Sequence, residues 1–459
     1  MDLAGKRLAV LGMGRSGIGV ARAAVKRGAF VTLFDQQLSE TPEALEAIDT
    51  LQSVGVDVVT GWHGRLDAEW DLVVPSPGFS RKHPALLDAV ELGIPVWSEV
   101  EFAYQIAKAP IIAITGTNGK STVTTMTWMI ANTCTKAYLC GNLSGSGYPE
   151  LTLTEAADIA GPDELLVAEV SSYQLEWVVD FKPVAAAITN ITPDHFDRHP
   201  NFEDYKATKL NLFRNLGPES TIVQSAFSGG LSRDEIKRAS PTGTASKLVG
   251  DERDPSADSW LDCGGFHLSG IPEMIRKDEV PFFGLHNYLN ACMAWELTEA
   301  ALREKFNPES ALIGLKEFTG LRHRMELIAE INGIKLINNS MCTNPAALVA
   351  SSQSLQQNQH LLIGGNTKNL DFQPVWDYLA SSFHTQYVFG YNEPNTLRQQ
   401  TEEGFDTMEQ AAEAAFAKAL PGEVIMLAPG CASATPFTNF RERGDAFRSW
   451  TESKKVTHG

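Results

Sequence analysis

The sequence predicts an α/β protein built from three domains. At 459 residues it is too long for one ordinary core. Short β-rich runs alternate with helical stretches along the whole chain. Two strand-to-helix junctions are glycine-rich, at Gly12-Met13-Gly14-Arg15-Ser16-Gly17 and at Gly116-Thr117-Asn118-Gly119-Lys120-Ser121-Thr122. The expected boundaries are 1–108, 109–320 and 321–459, with no internal repeat.

In the first block LAVLG, FVTLFD, VDVVTG and LVVPS read as strands and GVARAAVKRG as a helix, which predicts a parallel, N-terminal Rossmann-like sheet. The opening MDLAGKRLAVLG has no separate apolar stretch ending at a small-residue cleavage site and reads as a first strand, not as a signal peptide. Glycines in the first turn allow close backbone approach, and the following helix N-terminus offers amides to a diphosphate. The next strand ends at Asp35, about 20 residues on, as nucleotide-binding turns require. Gly14, Arg15, Ser16, Asp35 and Gln36 are therefore candidate nucleotide contacts, and Pro75-Ser76-Pro77-Gly78 a candidate opposite wall. The turn does not name the nucleotide. A plain βα turn and a nicotinamide-dependent dehydrogenase both stay open on this motif alone.

The second block opens on strand PIIAIT and continues through LLVAEV and VAAAIT, with helices at 121–132, 205–215 and 287–303. Residues 226–262 are polar and read as irregular or edge β structure. Its glycine-rich turn misses the strict P-loop pattern, because Ile114 stands where the first glycine belongs. The chemistry survives: the amides of Thr117, Asn118, Gly119 and Lys120 can cradle phosphate, Lys120 supplies charge and the Ser121 hydroxyl can take magnesium. This predicts a central P-loop ATPase-like domain that binds ATP. Glu169 closes a strand, but a lone strand-end glutamate is as readily a solvated cap. Lys209 reads equally as a helix-surface lysine, and His195 is a single loop histidine.

The third block, C-terminal and again Rossmann-like, has strands at MELIAEING, IKLINNS, HLLIGG, YVFGY and VIMLAPG, and helices at 346–356 and 408–419. A net charge of −18 argues against nucleic acid as a partner. No apolar run approaches the roughly 20 residues a membrane helix needs. The six cysteines form no CxxC pair, which suits a reducing cytoplasm.

The segment TGTNGKST resembles the ATP loop of the Mur ligase and folylpolyglutamate synthetase superfamily, and the resemblance extends along the chain. Glu169 with Ser171-Ser172-Tyr173-Gln174-Leu175 is similar to the ExSSxQL segment of the MurD type. Asp194-His195-Phe196-Asp197 is similar to the DHxD motif, and Tyr205 with Lys209 to the YxxxK pattern. His286-Asn287 with Asn290 resembles HNxxN, expected near adenine, and Gly141-Asn142 a segment that contacts the sugar. His323-Arg324 with Glu326 resembles the GxxHRxE hinge. Gly364-Gly365-Asn366-Thr367-Lys368 is similar to a GGxxK turn, and the stretch from Leu427 through Ser433 and Phe440 to Gly444 to the C-terminal signature. Asn339-Ser340-Met341-Cys342-Thr343-Asn344-Pro345 resembles DSKATNP, with Asn339 and Met341 replacing aspartate and lysine. The DYAHNP and DSYNANP variants of other Mur ligases do not fit there, and folylpolyglutamate synthetases lack the first domain.

The resemblance implies a cytoplasmic, monomeric, ATP-dependent ligase that adds D-glutamate to UDP-N-acetylmuramoyl-L-alanine through an acyl phosphate. It implies ATP contacts at Gly116, Thr117, Asn118, Gly119, Lys120, Ser121, Thr122, Asn287 and Arg324. Two magnesium ions would be held by Ser121, Glu169, His195 and a carbamylated Lys209. The UDP substrate would meet Gly14, Arg15, Ser16, Asp35, Gln36, Gly78, Asn142, Ser171 and Gln174, and the amino acid Thr343, Lys368, Ser433 and Phe440. Lys120, Lys209, His195 and Arg324 would form the catalytic set. The paired changes at Asn339 and Met341 read as a lost ion pair. They leave open a pocket for L-glutamate or another amino acid, and a catalytically silent relative. A dehydrogenase would explain only the first hundred or so residues and leave the ATP loop without a purpose.

Overall fold

The computed structural model describes residues 2–38, 41–196, 198–226, 229–251, 254–282, 284–390, 396–397 and 404–458. Three separate sheets organise them, in the expected α/β class. The first is β1 (Arg7–Leu11), β2 (Phe30–Phe34), β3 (Val56–Val59) and β4 (Leu72–Pro75), parallel throughout in the order β3-β2-β1-β4. Leu8, Ala9, Val10 and Leu11 are all buried, the mark of a strand covered on both faces. Helix α1 (Arg15–Val25) leaves β1 through the first glycine turn. Gly17 is packed so tightly there that an added Cβ would lie 1.9 Å from the Gly12 carbonyl oxygen. Helices α2 (Pro42–Ser53), α3 (Pro84–Glu91) and α4 (Glu99–Ile106) complete this part.

The central sheet contains β5 (Ile111–Thr115), β6 (Ala137–Gly141), β7 (Leu165–Glu169), β8 (Ala185–Ile188), β9 (Thr221–Ser225), β10 (Ala245–Asp251), β11 (Ser259–Leu261), β12 (Gly265–His267) and β13 (Ile275–Arg276). Their order is β13-β12-β11-β10-β9-β8-β5-β7-β6, antiparallel only among the last three strands in sequence. Around it lie α5 (Lys120–Asn132), α6 (Leu153–Ile159), α7 (Phe202–Leu210), α8 (Arg233–Ala239), α9 (Leu285–Leu302) and α10 (Pro308–Lys316).

Residues 226–262 hold β10 and β11, as the edge-strand reading allows, but also α8, which it did not anticipate. That helix buries only Ile236, so it has no apolar stripe to read; a reciprocal Ser232–Glu235 capping box starts it. The helix expected over 205–215 begins at Phe202 and passes into a 3₁₀ turn at Asn211–Phe213.

The first two sheets form one compact unit, Met1–Ser144, Tyr148–Phe283 and Asn287–Phe318. Helix α4 explains why. Its Phe102 belongs to the core under the first sheet, while Val100 and Ala103 belong to the core under the second. The Glu101 carboxylate also accepts the amides of Val179, Asp180 and Phe181 at 2.8–3.0 Å.

The second unit, mainly Thr319–Gly459, holds β14 (Glu326–Ile331), β15 (Ile334–Asn338), β16 (Gln359–Gly364), β17 (Thr385–Phe389) and β18 (Val424–Leu427). Their order is β14-β15-β18-β16-β17, with β14 alone antiparallel. Tyr391, at the end of the expected strand YVFGY, lies outside the described residues. Helices α11 (Pro345–Gln353), α12 (Gln373–Ala380), α13 (Met408–Lys418) and α14 (Phe440–His458) pack around this sheet. Among the described residues no helix is long and apolar enough to cross a membrane.

Gly17→Ala is expected to destabilise the first unit by about 3 kcal/mol or more, because backbone has to move to admit the methyl group. Gly14→Ala, with no neighbour within 4 Å of the added carbon, should cost under about 1 kcal/mol. Equal shifts in denaturant midpoint for the two variants would contradict this account.

Candidate active site

Strands β8, β5 and β7 are neighbours, so their C-terminal ends lie side by side. The loop after β5 is tied to the loop after β8. Thr117 N donates to Asn190 O at 2.8 Å, and Asn118 N to Asn190 Oδ1 at 3.0 Å. Asn118 O accepts from Asn190 Nδ2 at 3.0 Å and Thr189 Oγ1 at 2.6 Å. The Thr117 and Asn118 amides, expected to cradle phosphate, are instead taken up by Asn190 and shape the loop. Gly116 at φ +147° could carry no side chain, since a Cβ would stand 2.0 Å from Thr189 Oγ1. Gly119, at φ +82°, caps α5, and Asn290 lies 3.1 Å from where its Cβ would be. Within α9, Asn290 Nδ2 donates to Asn287 Oδ1 at 3.4 Å. Lys120 Nζ folds back to Thr117 O at 2.8 Å, and Thr122 is buried in the first turn of α5.

On the β7 side, Ser121 Oγ donates a short hydrogen bond to Glu169, and Asn142 Nδ2 donates to the other carboxylate oxygen at 2.9 Å. Glu169 is buried, so the solvated-cap reading fails. A hydroxyl and a buried carboxylate at a phosphate loop are the hard oxygen donors that magnesium takes. Among the described residues no three His, Cys, Asp or Glu side chains converge, so any ion here relies on this pair, neighbouring groups and its ligand.

Lys209 is no surface residue. It is 1% exposed, with Nζ donating to Gly116 O at 2.9 Å and Thr115 Oγ1 at 3.2 Å over the Tyr205 ring. Burial, reinforced by the charge of Lys120, pushes its ammonium well below the ordinary value of 10.5, against smaller opposing pulls from Asp194 and Glu169. Burial thus disfavours the charged form of this amine relative to a lysine in water.

His195 adopts φ +56°, and its Nδ1 pairs with Tyr173 OH at 2.9 Å. Asp197 of the same motif lies outside the described residues. Beyond it Arg198 makes a two-pronged bond to the buried Glu176, and His199, fully buried, joins Asp204 at 2.8 Å and Ser172 at 3.1 Å. Reading the sequence missed this network, because its members become neighbours only through tertiary packing.

The first sheet carries a second opening. A cleft of about 700 Å³ is lined by Gly14, Arg15, Ser16, Asp35, Gln36 and Gly78, all expected from sequence to meet one ligand. Asp35 first shapes the turn, accepting Met13 N at 2.6 Å and Gln37 N at 2.8 Å. Arg15 reaches the carbonyls of Leu143 and Glu150 at 3.4 and 3.3 Å. Asn142, Ser171 and Gln174 do not line this cleft. Ser171 N and Oγ both donate to Gln174 Oε1, while Gln174 Nε2 donates to Glu99 at 3.2 Å. Burial raises the Glu99 carboxyl, partly offset by hydrogen bonds from Thr154 and Gln174; no sequence signal marked this residue.

In the second unit Arg324 sits in a tight turn between His323 and Met325, both left-handed at φ +63° and +47°. Lys368 is exposed, also left-handed at φ +51°, on a turn paired with Ala432 through reciprocal Asn366 hydrogen bonds of 2.9 and 3.0 Å. That pairing brings the Lys368 turn beside Ser433, whose hydroxyl is buried and has no partner among the described residues. Thr343 is half-buried in the turn before α11, and Phe440 opens α14. Asn339 accepts Met325 N at 3.2 Å and donates to Ser351 Oγ at 2.8 Å, while Ser351 spends its own proton on Ala347 O. The amide donor is needed there, so Asn339 answers to these neighbours and not to a missing ion pair. Nothing in the structure accounts for Met341.

These segments correspond to known domain families in one continuous order. The Mur ligase MurD-like N-terminal domain matches residues 6–98, the Mur ligase middle domain 114–298 and the Mur ligase glutamate ligase domain 323–431. The chain is 34% identical to the UDP-N-acetylmuramoylalanine–D-glutamate ligase of Pelotomaculum thermopropionicum over 99% of both chains. It is also 34% identical to the enzyme of that name from Escherichia coli K12, over 97% of this chain and 98% of the other. Its fold is similar to UDP-N-acetylmuramate-alanine ligase from Thermotoga maritima (16% identity, TM-score 0.56, 98% and 100% of the two chains). A similar likeness holds for a UDP-N-acetylmuramoylalanyl-D-glutamyl-2,6-diaminopimelate–D-alanyl-D-alanyl ligase from Acinetobacter baumannii (17%, TM-score 0.58, 92% and 90%). At those identities the structural likeness bears on fold alone. Three family domains in series and relatives aligned end to end leave one conclusion: the chain belongs to the Mur ligase family, in its MurD-like branch.

Proposed function

We propose that this protein is a cytoplasmic, monomeric, ADP-forming ligase that joins D-glutamate to UDP-N-acetylmuramoyl-L-alanine in peptidoglycan synthesis. The observation that carries the reading is the grouping of Lys120, the Ser121–Glu169 pair and the buried Lys209 around one phosphate loop. The UDP end belongs to the cleft between Gly14 and Gly78, and the amino acid to Thr343, Lys368, Ser433 and the backbone at Phe440.

In this reading the substrate carboxylate attacks the γ-phosphorus of ATP, ADP leaves, and an acyl phosphate forms. The glutamate amine then attacks the acyl carbon, phosphate departs, and an amide remains. No protein nucleophile takes part; binding the reactants in line lowers the barrier. Lys120 and Arg324 offset charge on the phosphoryl oxygens. Ser121 and Glu169, with His195 and a carbamylated Lys209, would hold magnesium, whose chemistry when bound is to neutralise phosphate charge.

A phosphate-release assay with UDP-N-acetylmuramoyl-L-alanine and a panel of D- and L-amino acids tests the reading. Turnover should require D-glutamate, and NADH absorbance should not change. Faster turnover of L-glutamate would overturn the assignment of the amino acid and direct attention to Met341.

Lys120→Ala should fold normally and lose on the order of 10²-fold or more in turnover. Wild-type ligation by the folded variant would remove Lys120 from the mechanism.

Lys209 gives a test that needs no activity. Between its depressed value and the ordinary 10.5, the unfolded chain holds a proton that the folded chain does not. Stability therefore rises with pH across that interval. In carbon dioxide-free buffer, Lys209→Met should be more stable than wild type at pH 7, and the difference should shrink as pH rises. With ¹³C-labelled bicarbonate the wild type should show a carbamate resonance that the variant lacks.

A further inference from the structure

Arg443, on the first turns of α14, is fully buried, yet none of its hydrogen bonds goes to a carboxylate. All five of its N–H donors are used. Nε donates to Ser340 Oγ at 3.1 Å; Nη1 donates to Gly364 O at 3.3 Å and Ala432 O at 3.2 Å; Nη2 donates to Ser340 O at 2.8 Å and Cys431 O at 3.1 Å. Ser340 in turn donates to Phe440 O at 2.7 Å. A planar five-donor fork can meet such a set; a lysine, with three donors around one nitrogen, cannot.

The acceptors are not a random sample of backbone. Ser340 lies three residues before Thr343, Gly364 opens the turn that ends in Lys368, Cys431 and Ala432 precede Ser433, and Phe440 begins the helix that carries Arg443 itself. Every segment assigned to the amino acid is held by this one side chain.

We propose that Arg443 is a positioning residue that sets the spacing between Lys368 and Thr343, where one carboxylate of the amino acid would bind, and Ser433 and Phe440, where the other would, and so selects a five-carbon dicarboxylic amino acid over its shorter and longer homologues. This rests on the function proposed above. One methylene normally changes binding in a pocket enough for only roughly 10–200-fold discrimination, and a site that can drift by that length forfeits it. The guanidinium prevents such drift by joining Lys368 and Thr343 on one side to Ser433 and Phe440 on the other.

The test compares wild type, Arg443→Lys and Ser340→Ala on glutamate, aspartate and 2-aminoadipate of one configuration. The readouts are the kcat/KM ratio of glutamate over each homologue, and KM for ATP and the UDP substrate. In Arg443→Lys the ratio should fall by about 10-fold or more, toward the bottom of the range a methylene can give, with glutamate KM raised and both other KM values little changed. Ser340→Ala, which removes one acceptor and the link to Phe440, should shift the ratio in the same direction by less, and it decides the matter alone if Arg443→Lys does not fold. A merely structural role would lower all three rates together and leave the ratios untouched; that result overturns the proposal. A wild type that does not prefer glutamate among the three overturns the underlying functional reading instead.

Discussion

Two hydrogen bonds from one side-chain amide, Asn190 to the backbone N and O of Asn118, fix where the phosphate loop goes. They continue the parallel pairing of β5 and β8 past the end of both strands, after the backbone rungs from Thr189 N to Thr115 O at 2.9 Å and from Thr117 N to Asn190 O at 2.8 Å. The rest of the site follows from that extension. The loop can turn only at glycines, the helix starts where the loop stops, and Ser121 then faces the end of β7, where Glu169 is fixed by the strand order. A loop free to move would deliver the same residues without the same geometry.

The two units each bury a basic side chain with no carboxylate bonded to it, and they solve the cost differently. Lys209 has two neutral oxygen acceptors, too few for an ammonium, and the site responds by favouring the uncharged amine. Arg443 cannot readily lose its proton; burial brings it down only to about 10, so the fold must provide an acceptor for every donor. The same loss of solvent thus weakens the lysine's hold on its proton and leaves the arginine charged and fully bonded.

Much of this was legible before folding. The glycine turns, the strands flanking them and the cleft residues from Gly14 to Gln36 follow from local spacing, because a strand, a tight turn and a helix dictate one another within about twenty residues. The family resemblance singled out Glu169, Lys209 and the segments proposed for the amino acid. What stayed hidden depends on which strands pair and which helices cross. Asn190 acts on a loop 72 residues away, and Arg443 acts on Ser340 at a separation of 103. The fusion of the first two sheets through α4 needed burial on two of its sides, which an eight-residue helix does not advertise. Helix α8 was masked by its own charge.

Seven non-glycine residues among those described have left-handed backbones, and five of them are His195, His323, Met325, Lys368 and Asn369. Such conformations cost about 1–3 kcal/mol each and persist only where surrounding structure imposes them. Their presence in both units changes how tolerance to substitution is distributed along each candidate segment. At these positions asparagine, aspartate and glycine are cheap and β-branched residues are not, whatever the chemistry of the side chain. The permitted alphabet at His195 or Lys368 is thus filtered twice, first by the torsion angle and then by the ligand. A valine there would report on the backbone, and only an asparagine would isolate what the imidazole or ammonium contributes.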